Sequence, residues 1–421
     1  MHSKICKDLP KFTFFGTCLS IAMAPHYANA GTTDFQDYFF NVCQQQSPNE
    51  VDDRLPGLCF NVPALPGDLS TDSEASLNPS QMLSSNDAAL GFARANARLQ
   101  RERKQNPKGG SSGSETPIGP FSFWVNARGQ QEDSKRAASF GTERGYDSDG
   151  RAFELGIDYR VNDRLVIGAL YAYEDSELDF LGELPGINFA PGNSAGSKDS
   201  KQSALSFFAS ADLNENWYLQ AGAGFSRSDN DFSRNSLYQE ASRSLPTISS
   251  RTAGSADGES QWFSINSGYS FYADQWTFTP YLALLWANSE VDGFSERDLS
   301  GTGLNMRFSK MERDSQIGNL GINVSAVFNQ DFGVLIPQLR LEYEKEFDRD
   351  PQLMSASFVQ DSSNTLYQFA GESPDDSYIN MGLSLTAILP HGWMPYVEYQ
   401  WQGSNSSFDR SQWMLGVRKE L

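Results

Sequence analysis

Residues 313–347 constrain this chain more than any other stretch, reading RDSQIGNLGINVSAVFNQDFGVLIPQLRLEYEKEF. Leu320, Ile322, Val324, Ala326 and Phe328 alternate with Asn319, Gly321, Asn323 and Ser325. After the turn Asn329-Gln330-Asp331, Leu335, Pro337, Leu339, Leu341 and Tyr343 alternate with Gln338, Arg340, Glu342 and Glu344. A strand sends successive side chains to opposite faces, so each run has one apolar and one polar face; no helical period fits both. Two such runs joined by a tight polar turn predict a β-hairpin.

The same grammar occurs five times. Short turns precede Leu165, Trp217, Trp276, Phe332 and Trp393, built on Asn162-Asp163, Asn214-Glu215, Ala273-Asp274, Asn329-Gln330-Asp331 and Pro390-His391-Gly392. Between them lie long polar stretches at 130–150, 176–201, 228–260, 292–314, 348–376 and 403–411, which read as loops. Short turns on one rim and long loops on the other are the pattern of a transmembrane β-barrel, whose rims face different compartments. The spacing is too uneven for a solenoid. From residue 121 onward twelve strands can be placed: near 121–128, 152–161, 165–174, 203–213, 217–227, 262–272, 276–290, 317–328, 332–347, 378–389, 393–402 and 412–421. Five short turns and six long loops join twelve strands with both ends on the short-turn rim. Closure of an even number of antiparallel strands leaves no exposed edge in lipid.

Facing can be read from the alternation. Phe153, Leu155, Ile157 and Tyr159 point to lipid, and Glu154, Asp158 and Arg160 point to the lumen. Likewise Val397, Tyr399 and Trp401 point out, while Glu398 and Gln400 point in; Arg340, Glu342, Glu344 and Glu346 extend the lumen wall. Trp217, Trp276, Phe332 and Trp393 form an aromatic girdle at the short-turn rim.

Residues 1–30 read as a secretory signal peptide: Lys4, Lys7 and Lys11, an apolar stretch at 12–24, and Ala28-Asn29-Ala30 before Gly31. Such a leader implies the general (Sec) export machinery as a partner. No apolar run of 18 residues follows it, so no transmembrane helix is expected. Residues 31–86 carry eight carboxylates against the single Arg54 and read as a short irregular segment. Cys43 and Cys59 lie in it, and in an oxidising compartment they most simply pair. Residues 87–105 are the one clear helix: Ala88, Ala89, Phe92, Ala95 and Leu99 form a small apolar stripe, and Arg94, Arg98, Arg101, Arg103 and Lys104 make the rest cationic. A cationic rod beside a carboxylate-lined lumen predicts a helix plugging the pore. Residues 106–120, with GGSSGS, read as a flexible connector.

The barrel stretch resembles the C-terminal translocator domain of autotransporters (type V secretion). The resemblance is carried by TPYLALLWANSEVDGFSE at 279–296, the 317–347 hairpin, SASFVQDSSNTLYQFAG at 355–371 and the closing WMLGVRKEL. It implies a twelve-stranded outer-membrane barrel holding a helix that leads to an N-terminal passenger, here short enough to be vestigial. It also implies a C-terminal signal for the barrel assembly machinery. Trp413, Leu415, Gly416, Arg418 and Leu421 occupy that signal; Gly416 and Arg418 match the family's pattern, whereas Lys419 and Leu421 stand where it has aromatics.

Other functional classes fare poorly. A net charge of −20 argues against a nucleic-acid partner. Past the leader the only histidine is His391, in a short turn, and no G-x-S-x-G occurs, so no enzyme, metal site or cofactor is expected. The expectation is therefore an all-β, twelve-stranded antiparallel transmembrane barrel of the bacterial outer membrane, surrounded by lipid and monomeric. It would anchor or export its own short N-terminal segment. A porin-like channel with a helical plug, and a barrel acting as an adhesin through its loops, are the alternative readings.

Overall fold

Alternation dictates the architecture. The computed structural model describes residues 34–46, 54–60, 68–105, 120–134, 144–244, 246–371, 376–404 and 408–420. The signal peptide and nearly all of the 106–120 connector lie outside the described residues. Twelve long strands form the wall: β1 (Phe121–Ser134), β2 (Tyr146–Arg160), β3 (Leu165–Leu181), β4 (Ser194–Asp212), β5 (Trp217–Tyr238), β6 (Ile248–Tyr269), β7 (Trp276–Val291), β8 (Met311–Ala326), β9 (Gly333–Glu346), β10 (Ser377–Ile388), β11 (Trp393–Ser404) and β12 (Phe408–Glu420). Each pairs antiparallel with its sequence neighbours, and β12 pairs with β1 from Ser122↔Glu420 to Ser134↔Phe408, which closes the barrel.

Burial alternates along every strand. On β2 Glu154 and Asp158 are buried, whereas Phe153, Leu155 and Ile157 are exposed on the outer wall. A barrel with apolar side chains outside and carboxylates inside is the inverse of a water-soluble one. Trp217, Trp276, Phe332 and Trp393 are exposed at the short-turn rim. One of its short turns, Pro390–Gly392, places His391 at φ 64° and Gly392 at φ 74°, a left-handed pair in which glycine is at no disadvantage.

Two expectations need correction. The stretches 176–201 and 228–260 are loops only at their centres: β3 and β4 extend into the first, and β5 and β6 run for 22 residues each through much of the second. Among its described residues, the segment before the pore helix is largely helical and not irregular. It holds α1 (Phe35–Gln45), α2 (Arg54–Phe60), α3 (Thr71–Leu77) and a 3₁₀ turn (Pro79–Leu83), followed by α4 (Ser84–Gln105).

These short helices form a cap at the long-loop rim. In α1, Phe35, Tyr38, Phe39 and Val42 recur at helical spacing and are all buried. Asp34 caps the helix, its carboxylate accepting from the backbone N–H groups of Gln36 (2.8 Å) and Asp37 (3.4 Å). A disulfide joins Cys43 on α1 to Cys59 on α2. The cap and the loops share one apolar core, in which Tyr38 stacks on Phe358 and Phe35 meets Tyr367 edge-on. The loops contribute a three-stranded sheet made of Met306–Phe308, Leu353–Phe358 and Tyr367–Ala370.

Candidate functional site in the barrel lumen

The lumen is occupied by α4. The helix needs one cationic stripe and one apolar stripe to fit a bore with two kinds of wall, and its sequence has both. Arg94, Arg98 and Arg101 fall at i, i+4 and i+7, on one helical face. Opposite them, Glu346, Glu344 and Glu342 project from β9 at the two-residue strand period. The two ladders run antiparallel and meet rung by rung: Arg94 Nη2–Glu346 Oε2 at 2.8 Å, Arg98 Nη2–Glu344 Oε2 at 3.8 Å and Arg101 Nη2–Glu342 Oε1 at 3.6 Å. Neighbours complete each rung. Arg94 also donates to Ser315 Oγ (2.9 Å), Arg98 to Gln400 Oε1 (3.0 Å), and Tyr281 donates its hydroxyl to Glu342 Oε1 (2.6 Å).

The rest of the helix faces neutral wall. Leu90, Phe92, Ala93 and Ala97 pack among Ala172, Ala204, Trp262, Leu285, Ala287 and Ile317. Lower down, Leu99 packs with Trp124, Leu170 and Met414. At Gln100 the helix touches the wall so closely that a Cβ on Gly222 would collide with the amide oxygen, and Gln220 donates to the Gln100 carbonyl. A side chain at Gly222 would therefore displace the end of the Gln100 side chain from its place against the wall.

The remaining wall charges pair among themselves. Arg128 bridges Glu154 (3.1 Å) and Glu174 (2.8 Å), all three fully buried. Arg340 meets Glu398 at 3.0 Å. Asp158 meets Arg418 of β12 at 3.5 Å, and Arg160 sits half-buried at the short-turn rim. The alternation placed Glu154, Asp158, Arg340 and Glu398 in the lumen, where among the described residues they form ion pairs with other wall residues. Among the acids anticipated in the wall, Glu342 meets the helix along with Glu344 and Glu346. The side chains of Arg103 and Lys104 lie outside the described residues, as does Leu421. Trp413 and Leu415 are exposed on the outer face of β12, with the Trp413 ring tilted against Tyr399 (centroids 4.7 Å apart).

Sequence reasoning missed the contacts that hold the cap. Arg234 on β5 pairs bidentately with Glu296 (2.9 and 2.7 Å) and donates to the carbonyls of Leu77 and Leu304. Arg144 donates to the Ala75 carbonyl (2.8 Å) at the end of α3 and pairs with Glu183. The Tyr238 hydroxyl donates to the Leu58 carbonyl (3.0 Å), and the backbone of 68–70 pairs with 239–241. The one available signal was the Phe35-Tyr38-Phe39-Val42 spacing. In the cap, burial pushes the Glu74 carboxyl above the usual carboxylate range, reinforced by Asp34 and Asp37.

A closed barrel that is apolar outside, with its own N-terminal helix seated in a charged bore, defines an outer-membrane translocator barrel. The chain belongs to the autotransporter family: residues 123–400 match the autotransporter beta-domain. Among solved structures, the translocator domain of the autotransporter NalP from Neisseria meningitidis is similar at a TM-score of 0.57 and 13% identity, covering 80% of this chain and 99% of that one. Among curated relatives, Esterase EstA of Pseudomonas aeruginosa is 26% identical over 284 residues, 65% of this chain and 38% of that protein. Outer membrane protein A of Rickettsia conorii is 26% identical over 261 residues, 61% of this chain and 12% of the relative. The chain thus spans well under half the length of these relatives. Its place is the bacterial outer membrane.

Proposed function

We propose that this barrel passes its own N-terminal segment to the cell surface and keeps it there as a docked cap, with α4 retained in the bore as the tether. The observation that carries this reading is continuity. Going toward its N-terminus, one polypeptide passes the last rung of the arginine–glutamate ladder at Arg94, leaves α4 at Ser84 and enters a core shared with the loops of the long-loop rim. Short turns mark the periplasmic side and long loops the outer side, so residues 34–83 sit outside and β1 begins within.

Arg94, Arg98 and Arg101 act as the retaining face of the helix, and Glu342, Glu344 and Glu346 as its seat. Export of the nascent chain falls to the Sec machinery and insertion to the barrel assembly machinery, with β12 (Trp413, Leu415, Gly416 and Arg418) as the strand recognised. The working unit is a monomer. The role is anchoring and transport without catalysis. The esterase named among the relatives is a far longer protein, and beyond the leader this chain carries a single histidine, His391, on the opposite rim from the cap.

An epitope tag inserted before Asp34 tests the proposal. Antibody binding and protease clipping on intact cells are the expected results. A tag reached only after the outer membrane is opened would place the segment in the periplasm and favour the plugged-channel reading.

A further inference from the structure

We infer, on the reading of α4 as a tether retained in the bore, that Arg410 of β12 couples the seating of the helix to closure of the barrel. The guanidinium that pairs across the β12–β1 seam is the same group that lies against the helix backbone at Gly91.

The seam joins the first and last strands of the wall, so its ladder turns a curled sheet into a closed barrel. Glu132 and Arg410 are cross-strand partners near its outer end. Arg410 Nε donates to Glu132 Oε2 at 2.7 Å, and the Tyr146 hydroxyl donates to the other carboxylate oxygen at 2.6 Å. Nearer the inner rim the seam is held by Arg418, which donates to Ser122 Oγ at 3.1 Å.

Two contacts tie the Glu132–Arg410 pair to α4. The first is direct. Gly91 lies inside the helix with no left-handed φ, a place where glycine weakens a helix and nothing in the backbone calls for it. A Cβ there would stand 3.0 Å from Arg410 Nη2, 3.7 Å from Cζ and 3.8 Å from Nη1. The guanidinium therefore rests on bare helix backbone, and a larger side chain at 91 would push it aside. The second contact is relayed. Arg410 Nη1 donates to Gln402 Oε1 at 3.3 Å, and the Gln402 amide donates to Glu344 at 3.5 Å. Glu344 is the middle rung of the ladder, facing Arg98 at 3.8 Å.

The helix thus covers the seam pair from the lumen side, and Arg410 and Glu132 are only 16% and 9% exposed. With α4 out of place, water would reach both groups, and an ion pair open to water contributes little. An occupied bore seals more firmly than an empty one.

The test uses the full-length barrel in mild detergent, with amide hydrogen exchange read separately at the outer half of the seam (residues 130–134 and 408–412), in α4 and in the β5–β6 ladder. Leucine favours a helix more than glycine does, so by helix propensity alone G91L should slow exchange or leave it unchanged throughout. Coupling predicts the reverse at the seam: exchange about tenfold faster in its outer half, an ordinary coupling for residues in contact, with β5–β6 as in wild type. R410A should speed seam exchange to a similar degree. G91L/R410A should go no further than R410A alone, since the group that leucine displaces is already gone. Heat-dependent gel mobility checks that each barrel is closed; if G91L does not fold, G91A replaces it, with an expected effect of about threefold. Seam exchange unchanged in the glycine variants, or effects of G91L and R410A that multiply, would overturn the coupling. The tag before Asp34 reports export separately: a periplasmic tag with the seam effect intact would sink the export reading and leave the coupling standing.

Discussion

Arg94 and Glu346 meet at 2.8 Å inside the bore, where Glu346 is almost wholly shielded from solvent and Ser315 donates to the same carboxylate oxygen at 2.7 Å. A buried carboxylate with two donors and a cation holds a rod in register more firmly than an exposed pair does. Glu346→Gln should therefore loosen the helix by about 2 kcal/mol, in the range for hydrogen bonds to charged groups. Replacing Glu342, Glu344 and Glu346 together by Gln should turn a quiet barrel into a conducting one in planar bilayers. Conductance equal to wild type in the triple variant would mean that the apolar stripe alone keeps the rod in place.

The Cys43–Cys59 bridge closes a loop of sequence separation 16 within the cap. In the chain-entropy account a loop of that size is worth about 3 kcal/mol. C43S/C59S should shorten the protease half-life of residues 34–83 on intact cells and leave the barrel's thermal midpoint nearly unchanged. A barrel that melts together with its altered cap would show that the two are a single cooperative unit.

Tyr38 tests a single bond in the shared core. Its hydroxyl accepts from the Phe358 backbone N–H at 3.1 Å, at the centre of the cap's aromatic contact. Tyr38→Phe preserves the ring and orphans a buried donor, which costs about 1–3 kcal/mol. Hydrogen exchange at the Phe358 amide should accelerate accordingly. Exchange as slow as in wild type would mean that another acceptor takes over.

How much of this was legible in the sequence depends on what each face touches. Within the membrane, apolar residues outside and polar residues inside give a period-two signal that local reading detects, as in Phe153 against Glu154. Above the membrane the outer face meets water, so Asp229 and Asp231 on β5 point outward while Phe232 points in. Strand and loop then look alike, which is why β5 and β6 overrun their expected ends. The arginine stripe of α4 could be read because helical spacing is local. Its rung-by-rung partners could be anticipated only as a class, since the helix and β9 lie far apart in the chain. The cap was the least legible: its helices are short, and their burial depends on partners such as Phe358, 320 residues from Tyr38.

Glu74 gives the cap a pH response. Its carboxyl is pushed up, first by burial and then by Asp34 and Asp37, so the folded cap prefers the protonated form. A raised carboxyl leaves stability intact below the unfolded value and erodes it as pH rises through the folded one. The cap should therefore dock most tightly in mild acid and loosen toward neutrality. Glu74→Gln should remove this slope and raise protease resistance at pH 7, read on intact cells across pH 4 to 8 (an assay range set by the ordinary carboxylate value of about 4.3). A slope unchanged in the variant would assign the response to another group.

The outer surface above the membrane carries a further electrostatic consequence. Asp409, Asp133, Asp147 and Asp179 are cross-strand partners in turn on β12, β1, β2 and β3. Asp149, Glu177, Asp199 and Asp231 form a second such row across β2 to β5, and all eight side chains are exposed. Like charges directly opposite on neighbouring strands are destabilising by a few tenths of a kcal/mol per pair, up to about 1. Because the rows face water, salt screens them over a Debye length of about 8 Å at physiological strength. Raising monovalent salt should therefore raise the thermal midpoint of the purified barrel, and D147N/D199N should raise it at low salt and flatten the salt dependence. The lumen ladder predicts the opposite sign, since screening weakens attraction, but its burial leaves it little affected by salt. A midpoint that falls with added salt would show that the attractive pairs inside, and not the acidic rows outside, govern the barrel's response.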